Sequence, residues 1–309
     1  MKKFVAILLT LMLVLGVSGA LAADTESVVI KKAYKLVGAG SSPAETFTLV
    51  QTGSEVTSGD ATAAPALGAI TGAAFDAGAA TADGVTKPIT VSLPNYDRVG
   101  IYEYTLKEVK GNTAGVGYYD AAMKLVVTVV NGENGLERVA AVHTELAQGA
   151  DKSDTFENTY SAGTLTVKKT VTGNLGDKNK EFDFTVTFAA PEGKDWTPAI
   201  TLPTGAGMVE DNPMSYTFKL KHDGTASFGN LPAGVTYTVT EAEVQGYTTT
   251  SAGDKGTIGA GLNEVTFTND KHGEIPTGVT TENLPYVLLI GFVVLAGAAL
   301  LIKRKAHNN

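Results

Sequence analysis

Between residues 24 and 271, apolar positions recur every second residue in short runs rich in Val, Thr, Tyr and Phe, and clusters of Gly, Pro, Asn and Asp separate the runs. Successive strand side chains point to opposite faces, so each run predicts a half-buried strand. No long stretch in this region carries helical spacing. A series of such strands predicts an all-β chain built of β-sandwiches.

Laid side by side, the runs form a weak internal repeat in constant order. SVVIKKAY (27–34) matches TLTVKKTV (164–171), and ETFTLV (45–50) matches FDFTVTF (182–188). GIYEYTLKEV (100–109) matches GVTYTVTEAEV (234–244), and DTFENTY (154–160) matches VTFTNDK (265–271). The repeat predicts two tandem domains, residues 23–161 and 162–272, joined near 161–163 by a short link of small residues. So tight a join predicts an elongated rod rather than two swinging units. Residues 52–87, rich in Ala, Gly and Thr, interrupt the first copy and read as a long surface insertion with room for one short helix.

The ends carry different patterns. Residues 1–22 begin with Lys2 and Lys3, continue with an apolar stretch and finish with Ala20 and Ala22, the layout of a secretory signal peptide cut after Ala22. Residues 284–302 are uncharged and are followed by Lys303, Arg304 and Lys305. As a helix they would reach across a hydrocarbon layer of roughly 30 Å and leave the basic cluster in the cytoplasm. Residues 273–309 are therefore expected to hold a sorting signal, a transmembrane helix and a basic tail. The chain has no cysteine, so an exported form would have no disulfide to reinforce it. A formal net charge of −8 argues against a general attraction to nucleic acid or anionic lipid.

The repeat also recurs in three polar residues that continue apolar faces. Lys169 lies on the face of Leu165, Val167 and Val171; Glu241 on that of Val235, Tyr237 and Val239; Asn269 on that of Val265 and Phe267. The first copy places Lys32, Glu108 and Asn158 in the same way, whereas Lys31, Lys168 and Glu103 fall on the opposite, solvent-facing sides. Taken singly, a Lys or Glu at a strand end snorkels to water and an Asn caps a turn. A Lys–Glu ion pair accounts for two of the three types, but leaves the asparagines unexplained.

A buried Lys, Glu and Asn together can condense. Burial lowers a lysine pKa and raises that of a carboxyl, which gives access to a neutral amine beside a carboxylic acid. The amine, Lys32 or Lys169, would attack the side-chain carbonyl of Asn158 or Asn269. Glu108 or Glu241 would hydrogen-bond that carbonyl oxygen and shuttle protons, and ammonia would leave an isopeptide bond behind. Each bond would tie a domain's first strand to its last. The loops closed hold about 125 and about 100 residues, a crosslink worth roughly 4.7 kcal/mol in a chain-entropy estimate. No other catalysis is expected. The four histidines, His143, His222, His272 and His307, lack ligand spacing, and no phosphate-cradling loop or nucleophile motif is present, so no cofactor or metal is anticipated.

After the second copy come Glu274, Ile275, Pro276, Thr277 and Gly278, then the apolar segment and the basic tail. This arrangement resembles the sortase sorting signals of Gram-positive surface proteins. It departs from Leu-Pro-any-Thr-Gly by lacking a residue between Pro and Thr, and is similar to the Glu/Gln-Val-Pro-Thr-Gly form of streptococcal T-antigen type backbone pilins. The resemblance to that family covers the whole chain. It implies two Ig-like domains of the collagen-adhesin B type, and a pilin sortase that cuts between Thr277 and Gly278 and passes Thr277 to a lysine of a neighbouring copy. By position before the last strand of the first domain, Lys152 would be that acceptor; an ordinary solvated loop lysine is the other reading of it. The implied partners are the sortase, further copies of the chain in a covalent fibre, tip and base minor pilins, and peptidoglycan directly or through a base subunit, with no nucleic acid. The implied location is a secreted, cell-wall-anchored surface fibre with a membrane-held precursor. A wall-anchored adhesin or minor pilin of the same domain type, binding a host ligand and never polymerised, is the alternative.

Overall fold

A computed structural model describes residues 26–144, 153–274, 285–286 and 288–296. Eighteen strands form among them. Those of the first copy are β1 (Ser27–Gly38), β2 (Glu45–Phe47), β3 (Leu49–Gly59), β4 (Ala73–Phe75), β5 (Val85–Ser92), β6 (Gly100–Glu108), β7 (Val116–Gly117), β8 (Met123–Gly132) and β9 (Gly135–His143). A long β10 (Thr155–Thr172) follows, and then β11 (Phe182–Ala189), β12 (Gly207–Val209), β13 (Asn212–Leu220), β14 (Thr225–Pro232), β15 (Thr236–Glu241), β16 (Thr248–Ala252), β17 (Lys255–Thr257) and β18 (Gly261–Asp270).

Two sandwiches share β10. Its first half pairs in parallel with β1 and on its other side with β7, and β1 pairs in turn with β5. This layer packs on a β3-β6-β8-β9 sheet, and the alternating runs of both bury one continuous core that includes Ile30, Ile89, Tyr104, Leu106, Leu125 and Val127. The second half of β10 pairs in parallel with β18 and antiparallel with β14. There the opposing sheet runs β12-β13-β11-β15-β17, and Leu165, Val167, Phe184, Val186, Phe228 and Val239 are among the residues buried between the layers.

The small residues expected to form a link are instead the middle of an unbroken strand. Ser161, Ala162 and Gly163 lie inside β10, and their backbone groups are taken up from both sides. Ser161 N–H donates to Gly115 O at 2.8 Å, Ala233 N–H donates to Ser161 O at 2.8 Å, and Ala39 N–H donates to Ala162 O at 3.0 Å. A Cβ on Gly163 would stand 2.2 Å from Gly259 O, and one on Gly38 2.2 Å from Ala162 O. Small side chains here permit close crossing of backbones, not swivelling. Beside the strand, Asp195 N–H donates to Asn112 O at 2.9 Å and Ala114 N–H to Asp195 O at 2.8 Å, and Ser41 N–H reaches Asn230 Oδ1 at 2.8 Å. The two sandwiches are thus hydrogen-bonded into an almost entirely β, elongated unit.

Residues 52–87 are less of an insertion than their composition suggests, and contain no helix. Residues up to 59 extend β3 along β6. Residues 68–71 lie along β5 as an added edge, with Gly68 N–H donating to Ser92 O, Ser92 N–H to Ala69 O and Thr71 N–H to Thr90 O, each at 2.9 Å. Ala73, Phe75 and Ala80 enter the first core. Ala and Gly carry too little hydrophobic contrast for the alternation to register, yet they pack closely enough to cover a sheet edge that would otherwise be open.

The expected signal peptide, Lys152, residues 275–278 and most of the tail lie outside the described residues. Residues 285–286 and 288–296 are helical, and among the described residues no helix is long and apolar enough to cross a membrane.

Candidate functional site: two buried Lys–Glu–Asn clusters

The two halves of β10 place one reacting pair each, with the same offset. Parallel pairing sets Lys32 of β1 opposite Phe156 and Tyr34 opposite Asn158; likewise Lys169 of β10 lies opposite Phe267 of β18 and Val171 opposite Asn269. In each domain the lysine and asparagine are therefore diagonal neighbours on adjacent strands and on one face. The glutamate comes across the core from the facing sheet, Glu108 at the end of β6 and Glu241 at the end of β15.

The six predicted residues converge as two clusters. In the first, Lys32 Nζ donates to Glu108 Oε2 at 2.9 Å, and Asn158 Nδ2 donates to Glu108 Oε1. Both charged side chains are fully buried. In the second, Lys169 Nζ donates to Glu241 Oε1 at 2.9 Å and Oε2 at 2.8 Å, while Asn269 Nδ2 donates to Glu241 Oε1. By contrast Lys31 pairs with Asp154 and Lys168 with Glu264 at the half-exposed surface. Glu103 likewise turns outward to Lys124.

The carboxylate does not sit where the sequence reading put it. It meets the amide nitrogen of each asparagine, not the carbonyl oxygen. In the first cluster the reason is explicit: Tyr119 N–H donates to Asn158 Oδ1 at 2.8 Å, and an N–H can face only the oxygen, which leaves Nδ2 for Glu108. In the second cluster Asn269 Oδ1 is buried without a hydrogen-bond partner among the described residues.

Aromatic rings wall off both lysines, a feature the strand patterns leave unassigned. Lys32 Nζ lies 3.8 Å from the centroid of Phe156 and 4.8 Å from that of Phe47; Lys169 Nζ lies 4.3 Å from Phe182 and 5.7 Å from Phe184. Phe47 and Phe184 hold matching places in the repeated runs ETFTLV and FDFTVTF, so an aromatic at that place is the sequence signal that was available. Desolvation by these walls lowers Lys32 from the usual 10.5 to about 8, against the charge and hydrogen bond of Glu108, which pull it back up. Lys169 is lowered for the same reason, with the hydrogen bond and charge of Glu241 opposing.

A proton dependence follows. The reactive arrangement, neutral amine beside carboxylic acid, has the same net charge as the ion pair, so its population is independent of pH while the pair keeps its proton. In newly synthesised chain, first-domain condensation is expected to be level with pH around neutrality and to fall roughly tenfold per unit above about 8. Time-resolved peptide mapping reads this directly. A rate that climbs tenfold per unit up to pH 8 would show instead that the lysine acts alone. The stability of an uncrosslinked Asn158→Ala chain has its own sign. Folded Lys32 holds its proton less tightly than unfolded Lys32, so the folded chain binds fewer protons between about pH 8 and 10.5, and stability rises with pH across that window.

Fold and clusters together define a class: tandem β-sandwiches, each with a buried amine and carboxamide on its paired first and last strands and a carboxyl reaching them from the facing sheet. Residues 30–161 match the family described as "Spy0128-like isopeptide containing domain", and residues 163–271 match "Domain of unknown function (DUF7601)". A pilin of Streptococcus pyogenes serotype M1 is 30% identical over 235 residues, which cover 68% of this chain and 69% of that protein. The pilus tip adhesin Cpa of Streptococcus pyogenes is 34% identical over 125 residues, 38% of this chain and 18% of that protein. In fold, the chain is similar to the crystal structure of the major pilin from Streptococcus pyogenes, with a TM-score of 0.57 at 22% identity over 81% of this chain and 100% of that one. The chain belongs to the pilin family.

Proposed function

We propose that the chain is the repeating shaft subunit of a covalently polymerised surface fibre, and that residues 23–161 and 162–272 are each closed by a self-generated Lys–Asn isopeptide bond. The observation that carries this reading is the paired cluster: Lys32, Glu108 and Asn158 in one domain, Lys169, Glu241 and Asn269 in the other, in the same register and both out of water. A buried ion pair stabilises a fold poorly, because desolvation offsets its attraction. Two such pairs, each holding an asparagine amide, are better suited to chemistry than to packing.

Along the chain, residues 1–22 direct export, residues 273–309 hold the precursor in the membrane, and a pilin sortase cleaves between Thr277 and Gly278. Thr277 is then joined to Lys152 of a neighbouring copy. Minor pilins at tip and base, and peptidoglycan beneath, complete the assembly. The local match to the tip adhesin Cpa favours one second reading, a wall-anchored adhesin that is never polymerised. Mass spectrometry of cell-wall digests separates the two. A Thr277–Lys152 crosslink, lost together with the high-mass ladder in Lys152→Ala, is expected of the shaft subunit; Thr277 found solely on peptidoglycan contradicts it.

A further inference from the structure

The two clusters differ at the atom that takes up charge during condensation. Attack of the lysine Nζ on the asparagine Cγ forms the new C–N bond and pushes the carbonyl electrons onto Oδ1. The amine's proton passes to the glutamate, a proton is delivered to Nδ2, the C–NH2 bond breaks and ammonia leaves as Oδ1 regains its double bond. In the first domain the path for that proton is laid out, since Oε2 of Glu108 faces Lys32 Nζ and Oε1 faces Asn158 Nδ2. Glu108 is thereby committed to proton transfer, and something else must steady the oxygen.

We propose that the backbone N–H of Tyr119 is a catalytic donor in the first domain, stabilising the oxyanion that forms on Asn158 Oδ1, and that the second domain closes its bond without such a donor. The inference rests on the crosslinking reading above. Tyr119 N–H lies 2.8 Å from Oδ1; Asn158 is 1% exposed and Tyr119 is half-buried, so the oxygen that takes up charge is out of bulk water. The donor is held in place before the reaction starts. The Tyr119 ring packs edge-on against Phe156, with centroids 5.3 Å apart, and its hydroxyl donates to Thr144 O. A donor fixed beforehand against a buried oxygen needs no reorganisation when charge develops there, which is what makes such groups effective. In the second domain Asn269 is fully buried and its Oδ1 has no partner among the described residues. There Glu241 is the polar group that meets both Lys169 and Asn269, and it carries the whole reaction.

The test follows each bond separately by peptide mapping of the full chain at intervals after cell-free synthesis. Replacing Tyr119 by its α-hydroxy acid analogue changes the N–H to an ester oxygen while keeping the side chain and backbone shape. This is expected to slow the first-domain bond roughly 100-fold, the effect of removing one oxyanion donor, with the second-domain bond forming at its usual rate in the same molecules. Tyr119→Phe keeps the N–H and loses the hydroxyl bond to Thr144 O, and is expected to slow the first-domain bond only a few-fold, far less than the ester does. In wild type the first-domain bond should close before the second. An ester chain that closes its first domain at the wild-type rate overturns the proposal. So does a Tyr119→Phe chain as slow as the ester, or a wild type in which the second domain closes first. Absence of ammonia loss from both domains of wild type would remove the crosslinking reading itself. An unchanged ester rate with both bonds formed removes the assignment of Tyr119 alone.

Discussion

Glu241→Ala leaves the second-domain bond unformed and destabilises that domain more than Asn269→Ala does. Both variants lose the crosslink, which for a loop of about 100 residues is worth roughly 4.7 kcal/mol, or about 20 °C in melting temperature for a domain of this size. They differ in what they leave behind. Asn269→Ala keeps Lys169 paired with Glu241, whose side chains are 0% and 1% exposed. Glu241→Ala strands a buried ammonium against Phe182, which adds about 3–5 kcal/mol by the usual cost of halving a buried pair. The first domain is an internal reference, since its own cluster is untouched: its bond should form and its melting transition should stay in place. Intact mass and calorimetry on the two variants check both halves of the expectation. A second-domain bond that forms fully in Glu241→Ala contradicts the role given to the carboxyl.

The second large effect is mechanical. Pulled between the start of β1 and the end of β18, the chain should extend without releasing either domain. The continuous β10 makes this so. Load entering at Lys32 crosses to Asn158, follows β10 to Lys169, and crosses again to Asn269, so the path inside the protein is covalent and otherwise a single strand. The residues between each crosslinked pair, about 125 in the first domain and about 100 in the second, stay outside the path. In Asn158→Ala/Asn269→Ala both loops are freed, and at about 3.4 Å per residue they add about 40 nm and about 35 nm of contour length. Single-molecule force spectroscopy distinguishes the two chains by the presence of those steps. Steps of that length in wild type contradict the crosslinked load path.

The clusters were legible in the sequence because strand alternation is a local rule. Counting by twos separates Lys169 from Lys168 and Lys32 from Lys31 without knowledge of the partner strand, and the internal repeat supplies Glu108 and Glu241 as the third member. Features that depend on contacts between distant segments were not legible. Ser161, Ala162 and Gly163 carry no hydrophobic signal, so the fact that β10 runs through them emerges only from the backbones of Gly38, Gly115 and Gly259 crowding against it. The edge formed by residues 68–71 is hidden for the same reason. The orientation of the Asn158 amide depends on a backbone N–H at Tyr119, and a backbone donor has no residue type to read.

The most direct test of the central claim is the intact mass of the purified ectodomain, residues 23–272, set against the mass of those residues in the sequence. Two condensations, one at Lys32 and Asn158 and one at Lys169 and Asn269, predict a mass lower than that of the sequence by two molecules of ammonia, with the crosslinked peptides recovered on digestion. A folded chain with the full mass of its sequence would contradict the account.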